Sequence, residues 1–341
     1  RTFTFQAIGT ILKWYVLIVV ENYKDGEEIM SVLSPPPAGN DYSFSMLTMQ
    51  METANKLLSQ KKGEAVGSGF DSQINSIERE KAKWGKIEKE VGEATTKLST
   101  TIGRLRAVSA KIDAMMTNVN KAGLDENDAD FSYDSDVYAS AFDAQMKSLT
   151  QALEDSSDAP NLLGSAEPTM KYRISPNQET ISVTGTSINN DYSIVDSDGK
   201  TWILDRSAGT LKRYDTYPDS PTNIVGGLIG GLRLDSLTGD QITFTVAPDT
   251  ASPQTFTGTL KSDGLPVFDT WFYDNLSTES ARTEAMEDLV ASKAIVDYQI
   301  SRYESEMAVA QFYEQRAIGA SSTLNSEKND VTIEKAIAVG A

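Results

Sequence analysis

Residues 70–119 read FDSQINSIEREKAKWGKIEKEVGEATTKLSTTIGRLRAVSAKIDAMMTNV, and their apolar spacing is the most informative feature of the chain. An apolar residue returns at every seventh position, and the eight positions are Phe70, Ile77, Trp84, Val91, Leu98, Leu105, Ile112 and Val119. Seven residues make almost two turns of an α-helix, so residues spaced by seven lie on the same side of the helix and can face a partner helix. The stretch therefore predicts a long helix, from about Asp71 to Lys121, that packs along other helices.

The second apolar position of each heptad is less regular. One offset carries Ile74, Ile102 and Met116 but is interrupted by Lys81, Glu88, Thr95 and Ser109, and the other carries Ile87, Ala94, Val108 and Met115. Neither offset is apolar throughout. We therefore expect this helix to need neighbours on more than one side.

A second heptad pattern lies near the end of the chain. Val296, Ile300, Tyr303, Met307 and Ala310 step by four, three, four and three. These positions predict a helix from near Thr278 to at least Gln315, with Ser277 or Thr278 as its N-cap. We expect Gly319-Ala320-Ser321-Ser322 to interrupt it and to leave a short apolar tail, residues 331–339, as an assembly surface or a frayed end. The predicted assembly seam joins the eight N-terminal positions to Val296, Ile300, Tyr303 and Met307.

Composition limits the possible functions. The chain of 341 residues has 31 basic and 49 acidic side chains, a formal net charge of −18, and neither Cys nor His. The missing residue types exclude disulfides, thiolate catalysis, histidine triads and His or Cys metal sites. The negative charge argues against nucleic-acid binding, which needs clustered Lys and Arg. The absence of Cys is also consistent with export.

Residues 1–29 are interpreted as a leader or a non-native segment. The apolar run Ala7–Val20 is shorter than the roughly 20 residues of a membrane span, and no small-residue cleavage site follows it. The residues before Met30 resemble a translated ribosome-binding site, so our hypothesis is that the natural protein begins at Met30. The alternative is a short hydrophobic anchor. Residues 30–64 predict an extended arm and a short helix, from about Ser45 to Lys62, that ends where glycines weaken helical continuity.

The middle of the chain changes from helix to strand. A second helix is predicted at Val137–Leu153 and completes a helical region at residues 65–160. Between the two helices, an acidic turn at Asp125–Asp134 lacks the Gly and the closing Glu of a calcium-binding loop, and we expect no metal there. Residues 161–277 predict an inserted β domain, followed by a C-terminal helix and tail at 278–341. The fold class is therefore α+β, with long antiparallel coiled-coil-like helices from both chain ends and an all-β insertion.

The β domain is predicted from alternating segments and turn residues. Five segments read as half-buried strands: 181–184, 192–195, 201–204, 241–246 and 254–260. Hairpin turns are expected at Asn189-Asn190 and at Asp196–Gly199. The expected core consists of Trp202, Phe244, Phe256 and Trp271.

The β domain offers few candidates for chemistry. Asp205 and Arg206 are interpreted as a surface pair, and Gly226–Gly231 as a close backbone approach rather than a phosphate loop. Five aromatic residues are interpreted as core and rim residues, or alternatively as a sugar-binding surface: Tyr172, Trp202, Tyr214, Tyr217 and Trp271. No catalytic, cofactor or metal site is predicted.

One segment is similar to a known family. Phe142–Leu153, followed by Asn161-Leu162-Leu163-Gly164-Ser165, resembles the part of flagellins in which a helix ends shortly before an Asn-Leu-Leu turn into the first hairpin. The order of elements also resembles that of the flagellin and hook-associated protein family. This resemblance implies that helices from both chain ends pack together and polymerise, while the middle of the chain projects outward.

These observations favour an exported, non-enzymatic structural protein at the bacterial cell surface. It would leave the cell without a cleaved signal peptide and assemble with itself, and with related filament proteins, into a flagellar-type or related filament. A secretion-needle tip or translocator-like protein is the first alternative. A carbohydrate-binding β domain on a helical stalk is the second.

Overall fold

The structure, a computed structural model, describes residues 42–124, 134–154, 162–163 and 169–340. The fold is α+β, as predicted, with a long helical region and a separate antiparallel β half-barrel. The helices are α1 (Tyr42–Ala122), α2 (Ser135–Glu154) and α3 (Glu279–Gly340). The chain divides into two compact units, one formed by Ile74–Asp330 and the other by the residues up to Gln73 with Val331–Ala341. The five-part division expected from the sequence stays a prediction.

Both predicted helix breaks are wrong. α1 continues through Gly63, Gly67 and Gly69, and α3 continues through Gly319-Ala320-Ser321-Ser322. A glycine costs only about 1 kcal/mol relative to alanine inside a helix. A helix that is already formed on both sides tolerates this cost, since each further residue adds a backbone hydrogen bond. Thr278 does cap α3, as predicted, because its hydroxyl accepts the N–H of Ala281 at 3.3 Å.

Ion pairs show how α1 and α3 run in the unit Ile74–Asp330. Lys293 pairs with Asp113, Arg106 with Glu304, and Lys328 with Glu78. The partner's number rises along α3 as it falls along α1, so the two helices are antiparallel. In the other unit, Lys335 of α3 pairs with Asp71 of α1.

The predicted second helix is confirmed as α2, and its apolar side is buried. Phe142, Met146 and Leu149 are inaccessible to solvent and belong to the same hydrophobic core as the buried faces of α1 and α3. The carbonyl of Leu162 accepts the Tyr303 hydroxyl of α3 and the Thr186 N–H. These bonds connect Leu162 to α3 and to the segment that follows residue 184.

Nine antiparallel strands form two sheets. Strands β1 and β2 pair as a hairpin, and the other seven form one sheet in the order β6-β5-β4-β3-β9-β8-β7. The strands are β1 (Thr169–Arg173), β2 (Thr180–Thr184), β3 (Tyr192–Asp196), β4 (Thr201–Asp205), β5 (Thr210–Tyr214), β6 (Pro221–Gly227), β7 (Leu232–Thr238), β8 (Gln241–Val246) and β9 (Gln254–Ser262). A 3₁₀ segment, Thr270–Leu276, leads from the sheet to α3.

The glycine-rich turn brings the two edges of the seven-stranded sheet together. β6 and β7 are the edge strands, yet only residues 228–231 separate them. A Cβ atom on Gly231 would lie 2.5 Å from the backbone nitrogen of Gly227. The predicted close approach of backbones is therefore confirmed. It curls the sheet into the half-barrel, because only residues without a Cβ can pass so closely.

The half-barrel is filled by aromatic residues. Trp202, Phe244 and Trp271 are fully buried, as predicted, and Phe256 is half-buried against Trp202 with ring centroids 4.8 Å apart. The predicted turn Asp196–Gly199 joins β3 to β4, and the Asp196 carboxylate accepts N–H groups of Asp198 and Lys200.

The turn predicted at residues 189–190 is wrong, because these asparagines lie in the irregular segment before β3. Asn190 is buried there, and its side-chain oxygen accepts the Thr150 hydroxyl of α2 at 3.0 Å. Its polar side chain therefore serves a tertiary contact rather than a hairpin.

Candidate assembly surfaces

Most of the predicted assembly seam is buried within the single chain. Eight of its residues are buried: Ile77, Val91, Leu98, Leu105, Ile112, Val119, Val296 and Tyr303. The other four are half-buried: Phe70, Trp84, Ile300 and Met307. The core therefore occupies much of the seam inside one protomer, and a direct role in contacts between copies stays a prediction.

The structure decides between the two possible second seam positions of α1. Every residue three positions after the seam, from Ile87 onward, is buried: Ile87, Ala94, Thr101, Val108, Met115 and Ala122. The other offset is mostly half-buried. Thr101 had hidden this regularity in the sequence. Its hydroxyl donates to the Lys97 carbonyl at 2.9 Å, so the buried side chain leaves no unpaired donor.

A second heptad pattern, which the sequence analysis missed, lies on the exposed side of α3. We call it the outer face of α3, and it consists of Ala291, Ala294, Tyr298, Ser301, Ser305, Ala308 and Phe312, all of them exposed. Tyr298 is 66 % and Phe312 63 % exposed. Each lies two residues after a buried one, Val296 or Ala310. Two residues turn a helix by about 200°, so this face points away from the core.

The residues of the outer face of α3 carry no charge, and the two serine hydroxyls are bonded within the helix. Ser301 donates to the Asp297 carbonyl at 3.0 Å, and Ser305 donates to the Ser301 carbonyl at 2.9 Å. A partner covering this face would therefore leave no serine donor unpaired. In the sequence, Tyr298 and Phe312 are detectable as large apolar residues two positions after Val296 and Ala310 of the inner heptad. The alanines and serines between them made this second pattern inconspicuous.

The β1–β2 hairpin is fixed to both long helices. Arg173 of β1 binds the Glu90 carboxylate of α1, and its Nε donates to Oε2 at 2.8 Å. This hydrogen bond lowers the pKa of Glu90 below its ordinary value. On α3, Arg302 donates to the Thr184 carbonyl and to the Thr186 hydroxyl. The hairpin therefore bridges α1 and α3.

A buried charge cluster joins α2 to the half-barrel, and it overturns the interpretation of Arg206. Asp205 pairs with Lys212 instead of Arg206. The five N–H donors of Arg206 are all used: two go to Asp269, and one each to Asp191, the Thr150 hydroxyl and the Asn190 carbonyl. The sequence prediction failed because the residues that satisfy Arg206 lie far from it along the chain.

A second carboxylate lies close to this cluster. Asp143 of α2 accepts the Thr270 N–H at 2.8 Å and the Thr270 hydroxyl at 2.9 Å. Burial, together with the nearby charge of Asp269, raises the pKa of Asp143 to about 7. The contact therefore connects α2 to the 3₁₀ segment through a group that titrates near neutral pH.

The aromatic residues weighed as a sugar-binding surface do not lie together. Tyr172, Trp202 and Trp271 are buried in the core. Tyr214 and Tyr217 pack edge-to-face, 5.3 Å apart, in a groove of about 750 Å³ between α2 and the half-barrel. The groove is also lined by polar side chains, among them Lys147, Asp191, Asp205, Lys261 and Asp263.

Several predictions lie outside the described residues. They are the leader 1–29, the arm up to residue 41, the acidic turn 125–133, and Asn161, Gly164 and Ser165 of the flagellin-like turn. Among the residues that are described, no group of three or more acidic side chains is arranged to hold a metal ion. No described helix combines the length and the apolar character needed to cross a bilayer.

The solved structures that are similar to this chain include two of Xanthomonas campestris FlgL. The first, in space group C2, is 14 % identical with a TM-score of 0.29, and the match covers 79 % of this chain and 99 % of that one. The second, in space group H3, is 10 % identical with a TM-score of 0.27, and covers 71 % and 92 %. No protein-family model and no curated protein matches the sequence.

Proposed function

We propose that this chain is an exported, non-enzymatic structural protein. Its terminal helices form an antiparallel coiled-coil-like core, and it polymerises with itself into a flagellar-type or related surface filament. The β half-barrel faces solvent and supplies surface identity or adhesion. Related filament proteins are additional partners at the ends of such a polymer.

The observation that carries this proposal is the outer face of α3. Most residues of the inner seam are already buried inside the protomer, whereas Tyr298 and Phe312 belong to a second heptad whose side chains are exposed to solvent. Monomeric proteins rarely expose a long apolar stripe without a binding role. A helix with two apolar seams is suited to hold its own fold with one and a neighbouring subunit with the other.

The flagellin-like segment supports the type of assembly. Phe142–Leu153 lies within α2, where Phe142, Met146 and Leu149 pack in the core. The turn that follows is bound to α3 through Leu162 and Tyr303. The family resemblance implies that this segment ends the helical region and starts the first hairpin, and the buried side of α2 and the Leu162–Tyr303 bond support that role.

The central experiment compares assembly of the full chain with that of a double variant. Tyr298→Glu with Phe312→Glu places two charges on the outer face and leaves the inner seam intact. Val225→Glu with Ile229→Glu is the matched control, since both residues are exposed apolar residues of the half-barrel. We expect filaments of the wild type and the control in negative-stain images, and monomers of the outer-face variant with unchanged thermal unfolding.

Two results would contradict the proposal. One is a wild-type chain that stays monomeric at every concentration and salt condition tested. The other is an outer-face variant that polymerises like the wild type. Small rings in place of filaments would favour the needle-tip alternative.

The groove beside Tyr214 and Tyr217 favours a second candidate function for the half-barrel. Partly exposed aromatic rings beside Lys and Asp side chains are suited to hold a sugar, because the ring covers the apolar face of the sugar while polar groups bind its hydroxyls. A glycan array would test this idea with the full chain and with Tyr217→Ala. Binding that is absent, or that persists unchanged in the variant, would remove the carbohydrate role.

A further inference from the structure

We propose that the outer face of α3 docks against the exposed side of α1, at residues 96–117, of a second copy of this chain. This inference rests on the proposed function and names the contact by which the copies assemble. The receiving side consists of Thr96, Thr100, Gly103, Ala107, Ala110 and Thr117, of which Thr100 is half-buried and the other five are exposed. The receiving side lies on the side of α1 opposite its buried heptad positions. The outer face likewise lies on the side of α3 opposite the buried heptad positions of α3.

Charge is the first reason to choose α1 as the partner. The whole chain has a net charge of −18, so two copies repel each other at most orientations. Residues 81–121 of α1 depart from this average, with nine basic and four acidic side chains. Residues 279–316 of α3 have eight acidic and four basic side chains. The α1 segment of one copy therefore attracts the α3 segment of another, and the same comparison disfavours α3 against α3.

Shape gives a second reason. No side chain of the receiving side is larger than threonine, and a Cβ added at Gly103 would meet nothing within 4 Å. Tyr298 and Phe312 are the large side chains of the outer face of α3. Large residues on one helix fit between small residues on another, because the two helix axes can then approach closely. Residues 96–117 and 291–312 also have equal lengths, each about 32 Å at 1.5 Å per residue.

The polar atoms of the receiving side do not oppose docking. Thr96 donates to the Gly92 carbonyl at 2.9 Å, Thr100 to the Thr96 carbonyl at 3.1 Å, and Thr117 to the Asp113 carbonyl at 2.9 Å. These threonine donors are bonded within their own helix. Covering them therefore leaves no unpaired threonine hydroxyl donor in the interface.

The contact has a consequence for the form of the assembly. The two surfaces are different, and each copy carries both of them. Such a heterologous contact adds copies in one direction and gives an open helical polymer unless the rotation closes a ring. Contact between two identical α3 faces would instead stop at a dimer.

Cysteine cross-linking tests the contact directly, because the chain contains no cysteine. Ser301→Cys places a thiol on the outer face of α3, and Ala107→Cys places one on the receiving side of α1. Thr100→Cys and Ala294→Cys cover the neighbouring turns, since a disulfide requires Cα atoms within about 7 Å. Each variant is assembled alone, and each α1 variant is also mixed with each α3 variant before assembly. All samples are then oxidised, and the disulfide-linked pairs are identified by peptide mass spectrometry.

We expect disulfides between one α1 cysteine and one α3 cysteine in the mixtures, and at least tenfold fewer in either variant alone. Assembly with efficient α3-to-α3 disulfides in Ser301→Cys alone would overturn the inference and leave the proposed function standing. A chain that does not assemble at all would overturn both.

A glycine substitution gives an independent readout. Gly103→Leu adds a side chain into open space, so the protomer folds normally, but it blocks the receiving side. Gly85→Leu is the matched control, because Gly85 also has open space around it and lies before residue 96. We expect the concentration at which assembly begins to rise at least tenfold for Gly103→Leu and to stay unchanged for Gly85→Leu. Equal assembly of the two variants would contradict the contact.

Discussion

The guanidinium of Arg206 donates to both carboxylate oxygens of Asp269, at 3.3 Å each, inside the junction between the half-barrel and the 3₁₀ segment. The two side chains are 6 % and 1 % exposed. A buried arginine with five satisfied donors is tolerated because each N–H that lost water gained a protein acceptor. This pair, with Thr150 and Asp143 of α2 beside it, therefore determines how the half-barrel is joined to the helices.

The first prediction concerns this buried pair. Asp269→Asn leaves the Arg206 charge without its buried partner and is expected to lower the free energy of unfolding by about 3–5 kcal/mol. Arg206→Lys is also expected to destabilise the chain, because lysine has three donors and no planar fork. Urea unfolding measures both losses.

The matched control is Arg233→Lys, because Arg233 pairs with Asp235 at the surface. We expect a change of about 0.5 kcal/mol or less for this control. A loss below about 1 kcal/mol for Asp269→Asn would show that the junction does not depend on the buried pair.

The second prediction concerns pH. The pKa of Asp143 is raised from 3.8 in the unfolded chain to about 7 in the fold. Its contribution to stability is therefore fully present below about pH 4 and is lost as the pH rises to about 7. Three carboxylates have a lowered pKa: Glu90, Asp196 and Asp205. They change protonation only at more acidic pH, so they do not make the free energy of unfolding depend on pH above pH 5.

Asp143→Asn tests this assignment, because an amide imitates the protonated carboxyl. The wild type is expected to lose stability relative to the variant between pH 5 and pH 8, as measured by urea unfolding at each pH. Asp136→Asn, an exposed substitution on the same helix, serves as the control. Parallel pH profiles of the wild type and Asp143→Asn would contradict the assignment.

A third prediction separates the inner seam from the outer face. Leu98→Ala and Leu105→Ala each create a cavity in the core and are expected to cost about 2–5 kcal/mol. Replacing both leucines with Asp is expected to abolish assembly by unfolding the helical region. Thr96→Ala, at an exposed position of the same helix, should leave thermal unfolding nearly unchanged. Retained assembly of the double Asp variant would refute a structural role for the seam.

The fourth prediction concerns the hairpin that bridges the long helices. Arg173→Gln removes the ion pair with Glu90, whose side chains are 38 % and 35 % exposed. Partly exposed pairs contribute about 1 kcal/mol or less, so global stability should change little. Amide exchange within residues 169–184 should nevertheless become faster, because the hairpin loses its anchor on α1. Unchanged exchange in the hairpin would show that the anchor on α3 is sufficient.

Helix and strand assignments follow largely from local sequence patterns. Eight of the twelve heptad positions predicted in α1 and α3 are buried, and the alternating segments identified five strands. β1, β5, β6 and β7 escaped prediction because their patterns are short and interrupted by charges or glycines. The helix breaks at Gly63–Gly69 and Gly319–Ser322 were predicted wrongly because a local propensity of about 1 kcal/mol was given more weight than the cooperativity of a long helix.

Most of the apolar core could be read from the amino-acid sequence alone, because apolar periodicity depends only on neighbours along the chain. Val91, Leu98 and Trp202 were identifiable on that basis. The partners of the polar residues that pair over long distances along the chain became known only from the three-dimensional packing. Arg206 meets Asp269 across 63 positions, and Asp143 meets Thr270 across 127. Long-range pairs of this kind are set by how whole elements pack, and no local spacing encodes that packing.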